Sequence, residues 1–204
     1  MSARNAEEVH ADYVAKMGQE AGHAFYQLHH KLIELHVLWQ QYCNLFGQDD
    51  ATVELLNRTA GLFFKVVQDE LWDSVLLGIS RMLDPPMTSG RKNLTLRSLP
   101  EMVDGTALRD ELRTLLETAS KAAEFAKEHR NKRIAHQDHG YLTNRNANAL
   151  SGISRAKVNE MLEALRAVAN RVHLHFFDST VMYQTFIETT GAELLVRKLR
   201  RAGL

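Results

Sequence analysis

Three scarcities shape the reading of this 204-residue chain. It has one cysteine, Cys43, so an internal disulfide is excluded, and the composition suits a reducing cytoplasm. It has three prolines, Pro85, Pro86 and Pro100, all in or beside one loop region, so long stretches elsewhere are free to be helical. It has no net charge, with 25 basic residues against 25 acidic, so no overall field draws the molecule to nucleic acid or to a lipid surface. Any anion must be met by a local cluster. No run approaches the roughly 20 apolar residues of a membrane span. Met1 to Gln19 lacks the apolar core of a secretion signal, so a cytoplasmic protein without a membrane is expected. Period-two alternation of β-branched residues is missing too, which leaves strands without a signal. No internal repeat is evident.

What is present is helical periodicity. Between about Glu7 and Phe46, Phe25, Leu28, Leu32, Leu35, Trp39, Tyr42 and Leu45 recur at spacings of three and four and predict one long helix. Gly47 to Asp50 ends it, and Asp50 is a candidate N-cap for the next. A second helix is predicted over 51–83 from Leu56, Ala60, Phe63, Val67, Leu71, Val75, Ile79 and Met82, stopped by Asp84-Pro85-Pro86. The segment 85–93 reads as a polar loop and 94–99 as a short helical turn or packed loop. A third helix is predicted over 106–133, where Leu108, Leu112, Leu115, Ala119, Ala122 and Ala126 share a face and the alanines admit a close neighbour. The segment 140–152, rich in Asn, Gly and Thr, reads as loop. A fourth helix is predicted from Ser154 to about Phe186, with a break at Asp178-Ser179-Thr180, and a short basic amphipathic helix over 192–202. Short connections imply an antiparallel bundle of four long helices with short helical extensions, as a single domain over 1–204. The first two stripes are longer than the other two, so part of them is expected to pack on a second copy.

Most aromatic and histidine side chains read as scaffold. Trp39, Trp72 and the phenylalanines at helical spacing belong to a core. His23 with His30, and His29 with His36, share helix faces, but no acidic or cysteine cluster of recognised spacing completes a ligand set, so neither metal nor cofactor is expected. His173 and His175 point to different sides and are expected to be partly exposed. The basic run Arg197-Lys198-Leu199-Arg200-Arg201 fits a solvated tail, or a contact to a nucleic-acid backbone or a partner.

The densest polar chemistry lies in Glu128-His129-Arg130-Asn131-Lys132-Arg133-Ile134-Ala135-His136-Gln137-Asp138. Arginine can clamp a phosphate with two parallel hydrogen bonds, and histidine exchanges a proton near neutral pH. Arg130 and His136 together suffice, in type, for cleaving RNA through its ribose 2′-hydroxyl. In one straight helix, however, they would point about 120° apart and stand about 9 Å apart along the axis. Either the helix ends between them or a second protomer completes the site. Lys132 or Arg133 would share a face with His136 more readily. Asp138 could orient His136 or simply start a turn. Equally, the stretch could be a capped helix end whose basic residues answer the helix dipole.

The run Arg130-Asn131-Lys132-Arg133-Ile134-Ala135-His136 resembles the signature of HEPN domains, an arginine with a polar neighbour followed after a short spacer by histidine. The resemblance is closest to the abortive-infection AbiU-type HEPN proteins. There, a phrase like Arg81-Met82-Leu83-Asp84-Pro85 with Asn93-Leu94-Thr95-Leu96 precedes one like Arg133-Ile134-Ala135-His136-Gln137-Asp138. It covers roughly Leu28 to Phe176. It implies an all-α bundle that forms homodimers and brings two signatures together in one cleft. It further implies metal-independent RNA cleavage in toxin–antitoxin or phage-defence settings. On that resemblance Arg130 faces the phosphate, Asn131 positions it and His136 is the acid/base. An antitoxin or a nucleotidyltransferase partner is implied as well. The position two residues after the histidine, a tyrosine in some such toxins and the target of that transferase, is Asp138 here. The same cleft in a non-catalytic protein would bind RNA, a nucleotide or a protein partner.

Overall fold

Asn5 starts the first helix by a reciprocal cap. Its side chain accepts from the Glu8 N–H (2.8 Å) and its own N–H donates to the Glu8 carboxylate (3.0 Å). The computed structural model describes residues 5–131, 154–185 and 190–203. Its helices, in order, are α1 (Ala6–Met17), α2 (Gln19–Phe46), α3 (Asp50–Met82), α4 (Leu99–Met102), α5 (Thr106–Ala122), α6 (Glu124–His129), α7 (Arg155–Phe177) and α8 (Ala192–Arg201). The fold is all-α, as expected.

The four long helices α2, α3, α5 and α7 form the bundle. Antiparallel packing is visible in pairs whose numbers run oppositely. Gly78 abuts Leu35 while Trp72 meets Trp39, and Asn159 accepts from the Trp39 indole N–H (2.7 Å) while His173 lies beside His29. All seven residues of the predicted first stripe are buried.

Several boundaries differ from the sequence reading. The helix expected over 7–46 is two. Gly18, at φ 82°, ends α1 and opens α2, so the chain reverses and α1 folds back along α2. The apolar period survives across this reversal, which hid it. The two helices touch backbone to backbone: a Cβ on Gly22 would stand 2.6 Å from Val14 Cα. Gly22→Ala is therefore expected to destabilise the chain by about 1–3 kcal/mol. Urea unfolding would show it, and an unchanged midpoint would mean that α1 is not held against α2.

In α3 the backbone leaves helical geometry at Ala60 (φ −161°, ψ 65°). The inward face shifts by one residue, so Phe64 is buried while Phe63, expected inside, is 61% exposed. Likewise Leu116 replaces Leu115 as the buried residue of α5. The predicted third helix is interrupted at Ala123 (φ −90°, ψ 9°), which separates α5 from α6. The loop over 85–93 contains a two-residue antiparallel ladder, β1 (Met87–Thr88) with β2 (Arg91–Lys92), closed by Ser89 and Gly90 at positive φ. Strands this short carry no periodicity to read. The expected turn is a 3₁₀ turn at Leu96–Ser98. α7 ends at Phe177 because Asp178 adopts the left-handed conformation (φ 50°).

The surplus apolar stripe of α2 and α3 finds cover within the chain. α1 adds Tyr13 and Met17 to the main core, and α8 lays Ala192, Val196 and Leu199 over Leu45, Leu56 and Phe64. Leu62, Phe63 and Val66 remain outside, 82%, 61% and 53% exposed. His173 corrects another expectation. It is buried, and its Nε2 shares a 2.9 Å hydrogen bond with the Tyr13 hydroxyl.

Candidate functional site

The site begins on the face of α3 that carries Asp73. Eleven residues on, three turns further, comes Asp84, just past the end of the helix. The last turn tightens there, with Leu83 N–H donating to Ser80 O (3.1 Å) and Asp84 N–H to Arg81 O (3.3 Å), which keeps Asp84 on the same face. Proline then forces the chain away. Asn93 pins the departing segment: its backbone N–H donates to Pro86 O, and its side-chain amide to Pro85 O and to the Thr88 hydroxyl, each at 2.8 Å.

Against this face lies α6, brought close by small buried residues, Ala119, Ala123 and Ala126. Past its last residue the backbone passes into π-helical geometry at Arg130 and Asn131. His129 points inward. It is 3% exposed, and its Nε2–H donates to the Asp73 carboxylate (2.9 Å) while Nδ1 is buried with no partner among the described residues. Arg130 points along the helix end. It pairs with Asp84 through Nη1, and its Nε–H donates to the Asn131 side-chain oxygen (3.2 Å). The Arg130 and Asp84 side chains are 24% and 25% exposed, so the pair is at the surface but shielded. A guanidinium has five donors, and among the described residues two of them, Nε–H and one on Nη1, are used here.

Of the residues singled out in the sequence, Arg130 and Asn131 are thus together, in contact, at a helix end. Lys132, Arg133, His136 and Asp138 lie outside the described residues. The sequence reading did not assign Asp84 or the Asp73–His129 pair to this place. Asp84 had a signal, since it stands in the aspartate-proline phrase; the structure joins that phrase to the signature by an ion pair. Asp73 and His129, 56 residues apart, had none. Two open clefts of about 480 and 470 Å³ lie elsewhere, between α8 and the α2–α3 junction and between α4 and α5. Burial pushes the half-buried Cys43 thiol up, so it is a poor nucleophile. Among the described residues no group of three or more His, Cys, Asp or Glu has metal-site geometry, and no helix is long and apolar enough to cross a membrane.

Removing the Asp84 charge tests the tie. Asp84→Asn is expected to cost about 1–2 kcal/mol, with coupling of similar size to Arg130→Gln in a double-mutant cycle. Strict additivity of the two changes would show that the pair holds nothing.

An all-α bundle with Arg130 and Asn131 directly after α6, and the basic-to-histidine run next in sequence, is of the HEPN class. The family model described as AbiU2 matches residues 18–193, and the chain belongs to that HEPN family. No curated protein and no solved structure gives a match.

Proposed function

We propose that the protein is a metal-independent endoribonuclease of the toxin or phage-defence type, acting as a homodimer in the cytoplasm. The observation that supports this best is the held placement of Arg130 just past α6, with Asp84 and Asn131 fixing its guanidinium through two of the five donors. In this reading one His136 takes the proton from a ribose 2′-hydroxyl. The 2′-oxygen attacks phosphorus, the bond to the 5′-oxygen breaks, and that oxygen leaves with a proton from the His136 of the other protomer. The products are a 2′,3′-cyclic phosphate and a 5′-hydroxyl. Arg130 offsets the charge that grows on the phosphoryl oxygens, and Asn131 fixes its orientation. Lys132 and Arg133 add positive charge beside the phosphate, and Asp138 orients His136. The exposed Leu62, Phe63 and Val66 offer apolar surface for a second copy. An antitoxin or a nucleotidyltransferase would be the regulatory partner.

The test is incubation of the purified chain, in chelator, with RNA and with DNA of the same sequence. RNA is cut to cyclic-phosphate ends and DNA is not. A second reading has its own observation: the Arg130–Asp84 pair already satisfies part of the guanidinium within one chain. A non-catalytic module that binds RNA, a nucleotide or a protein would show affinity in the same experiment without turnover.

A further inference from the structure

The basic face of α8 is unused by that reading, and its residues lie beyond the family match, which ends at residue 193. α8 carries Glu193 in its first turn, then Arg197, Lys198, Arg200 and Arg201 with no acidic residue among them. Its position is fixed from beneath. Ala192 and Val196 are buried against Leu45, Leu56 and Phe64, and the Ala192 N–H donates to the Gln41 side-chain oxygen (2.7 Å). Arg200 is tied down as well, donating to the Thr52 hydroxyl (2.6 Å) and to Asp49 (3.3 Å).

The remaining three are different. Arg197, Lys198 and Arg201 are exposed and form no ion pair among the described residues. Elsewhere on the surface, charges such as Lys31, Lys65 and Arg113 are matched by nearby carboxylates. Arg197 and Arg201, one helical turn apart, also line the cleft of about 480 Å³ whose far wall offers the amides of Asn44 and Gln48. Among the described residues the cleft's acids are Asp49 and Glu193, and Asp49 is engaged by Arg200.

We infer that this face of α8 and the cleft beside it hold the phosphate backbone of a single-stranded nucleic acid, without reading its sequence. Guanidinium groups suit phosphate oxygens bidentately, and side-chain amides beside them can donate to the same strand. An acidic protein partner fits less well. Its interface would need a desolvated aromatic or large apolar anchor; Val196 in this cleft is already covered by the core, and the exposed apolar side chain of α8, Leu195, is not among the residues that line it. The inference goes beyond cleavage and holds whether or not Arg130 and His136 are catalytic.

The test is fluorescence anisotropy of the full chain with a uridine-rich single-stranded RNA whose 2′-hydroxyls are methylated, so that binding is read where the proposed cleavage cannot occur. Three phosphate contacts give a slope of log K on log salt of about −2, or roughly a twentyfold loss of affinity over a fourfold rise in salt. In the Arg197→Gln, Lys198→Gln, Arg201→Gln variant that slope should flatten by about 2, and each single substitution should account for about 0.7 of it. Lys65→Gln, which removes a charge already paired with Asp69, should leave the slope alone. A triple variant that binds with the parent's slope overturns the inference, as does a parent that shows no salt-dependent binding. Displacement of the RNA by polyglutamate as readily as by polyuridylate would transfer the face to an acidic protein. Cleavage of unmethylated RNA is scored separately, so loss of one reading leaves the other standing.

Discussion

His136→Ala is expected to reduce RNA cleavage by about 10²–10⁴-fold while the melting temperature of the bundle stays where it was. The size follows from the proton inventory. A 2′-hydroxyl is a very weak acid, and an alkoxide is a poor leaving group, so both steps depend on a group that exchanges a proton near neutral pH. Arg130→Ala should cost a comparable factor by a different route, the loss of charge stabilisation at phosphorus. Arg130→Lys should not restore it, because the ammonium cannot bond Asp84 or Asn131 and a phosphate in the fixed plane of a guanidinium. The double variant should be little worse than either single one, since the two groups serve one transition state. RNA cutting that persists in His136→Ala, or that disappears together with the fold, would remove the catalytic reading and leave the binding one.

The second large effect is on stability and concerns the buried and half-buried histidines of α2. His29 and His36 of α2 are both neutral in the folded chain, and each is pushed down to about 4. Burial is the main cause for both; the charges of His173 and His30 add to it at His29, and that of Arg166 at His36. His36 stacks beside Tyr183 with its Nε2 unpartnered among the described residues, and His29 shares a 2.8 Å hydrogen bond with the Tyr183 hydroxyl, which burial holds well above its usual range. His173 is lowered as well, again chiefly by burial. The unfolded chain takes up the His29 and His36 protons near pH 6.5 and the folded chain only near pH 4, so stability is complete above the first value and is lost as pH falls toward the second. His36 alone should account for roughly 3 kcal/mol of that loss, and the more exposed His29 for less. Urea unfolding across this range should show the slope, and His36→Leu should flatten it. A stability that is level with pH, or a slope that survives the substitution, would show that the buried ring is already solvated.

Where the sequence spoke clearly, it did so through repetition. The seven buried positions of α2 were legible because each apolar residue is confirmed by the next three or four along. The same regularity concealed Gly18, because a hairpin of two amphipathic helices continues the period while reversing the chain. At Ala60 a single residue of non-helical backbone moved the inward face from Phe63 to Phe64, a change that no pattern of types could signal. In the candidate site the division is between near and far. Arg130 and Asn131 are neighbours in the chain and were read as a pair. Asp84 was read as part of a phrase, but its bond to Arg130 spans 46 residues and depends on how tightly α3 closes its last turn. The Tyr13–His173 bond spans 160 residues and turned an expected surface histidine into a core one.

The break at Ala60 bears on how the two ends of α3 communicate. An unbroken α3 from Thr52 to Asp84 would be a rod of roughly 50 Å, with Arg200 tied to one end and Arg130 to the other. A rod divided by one non-helical residue absorbs a displacement instead of passing it on. Changes at Thr52 and at Asp84 should therefore sum in free energy, as distant sites without shared partners do. If a nucleic acid lies on α8, it reaches Arg130 by being one continuous molecule. The first attachment raises the local concentration of its own further phosphates at the second place. That coupling is set by strand length and flexibility, and falls to nothing for a strand too short to span the gap.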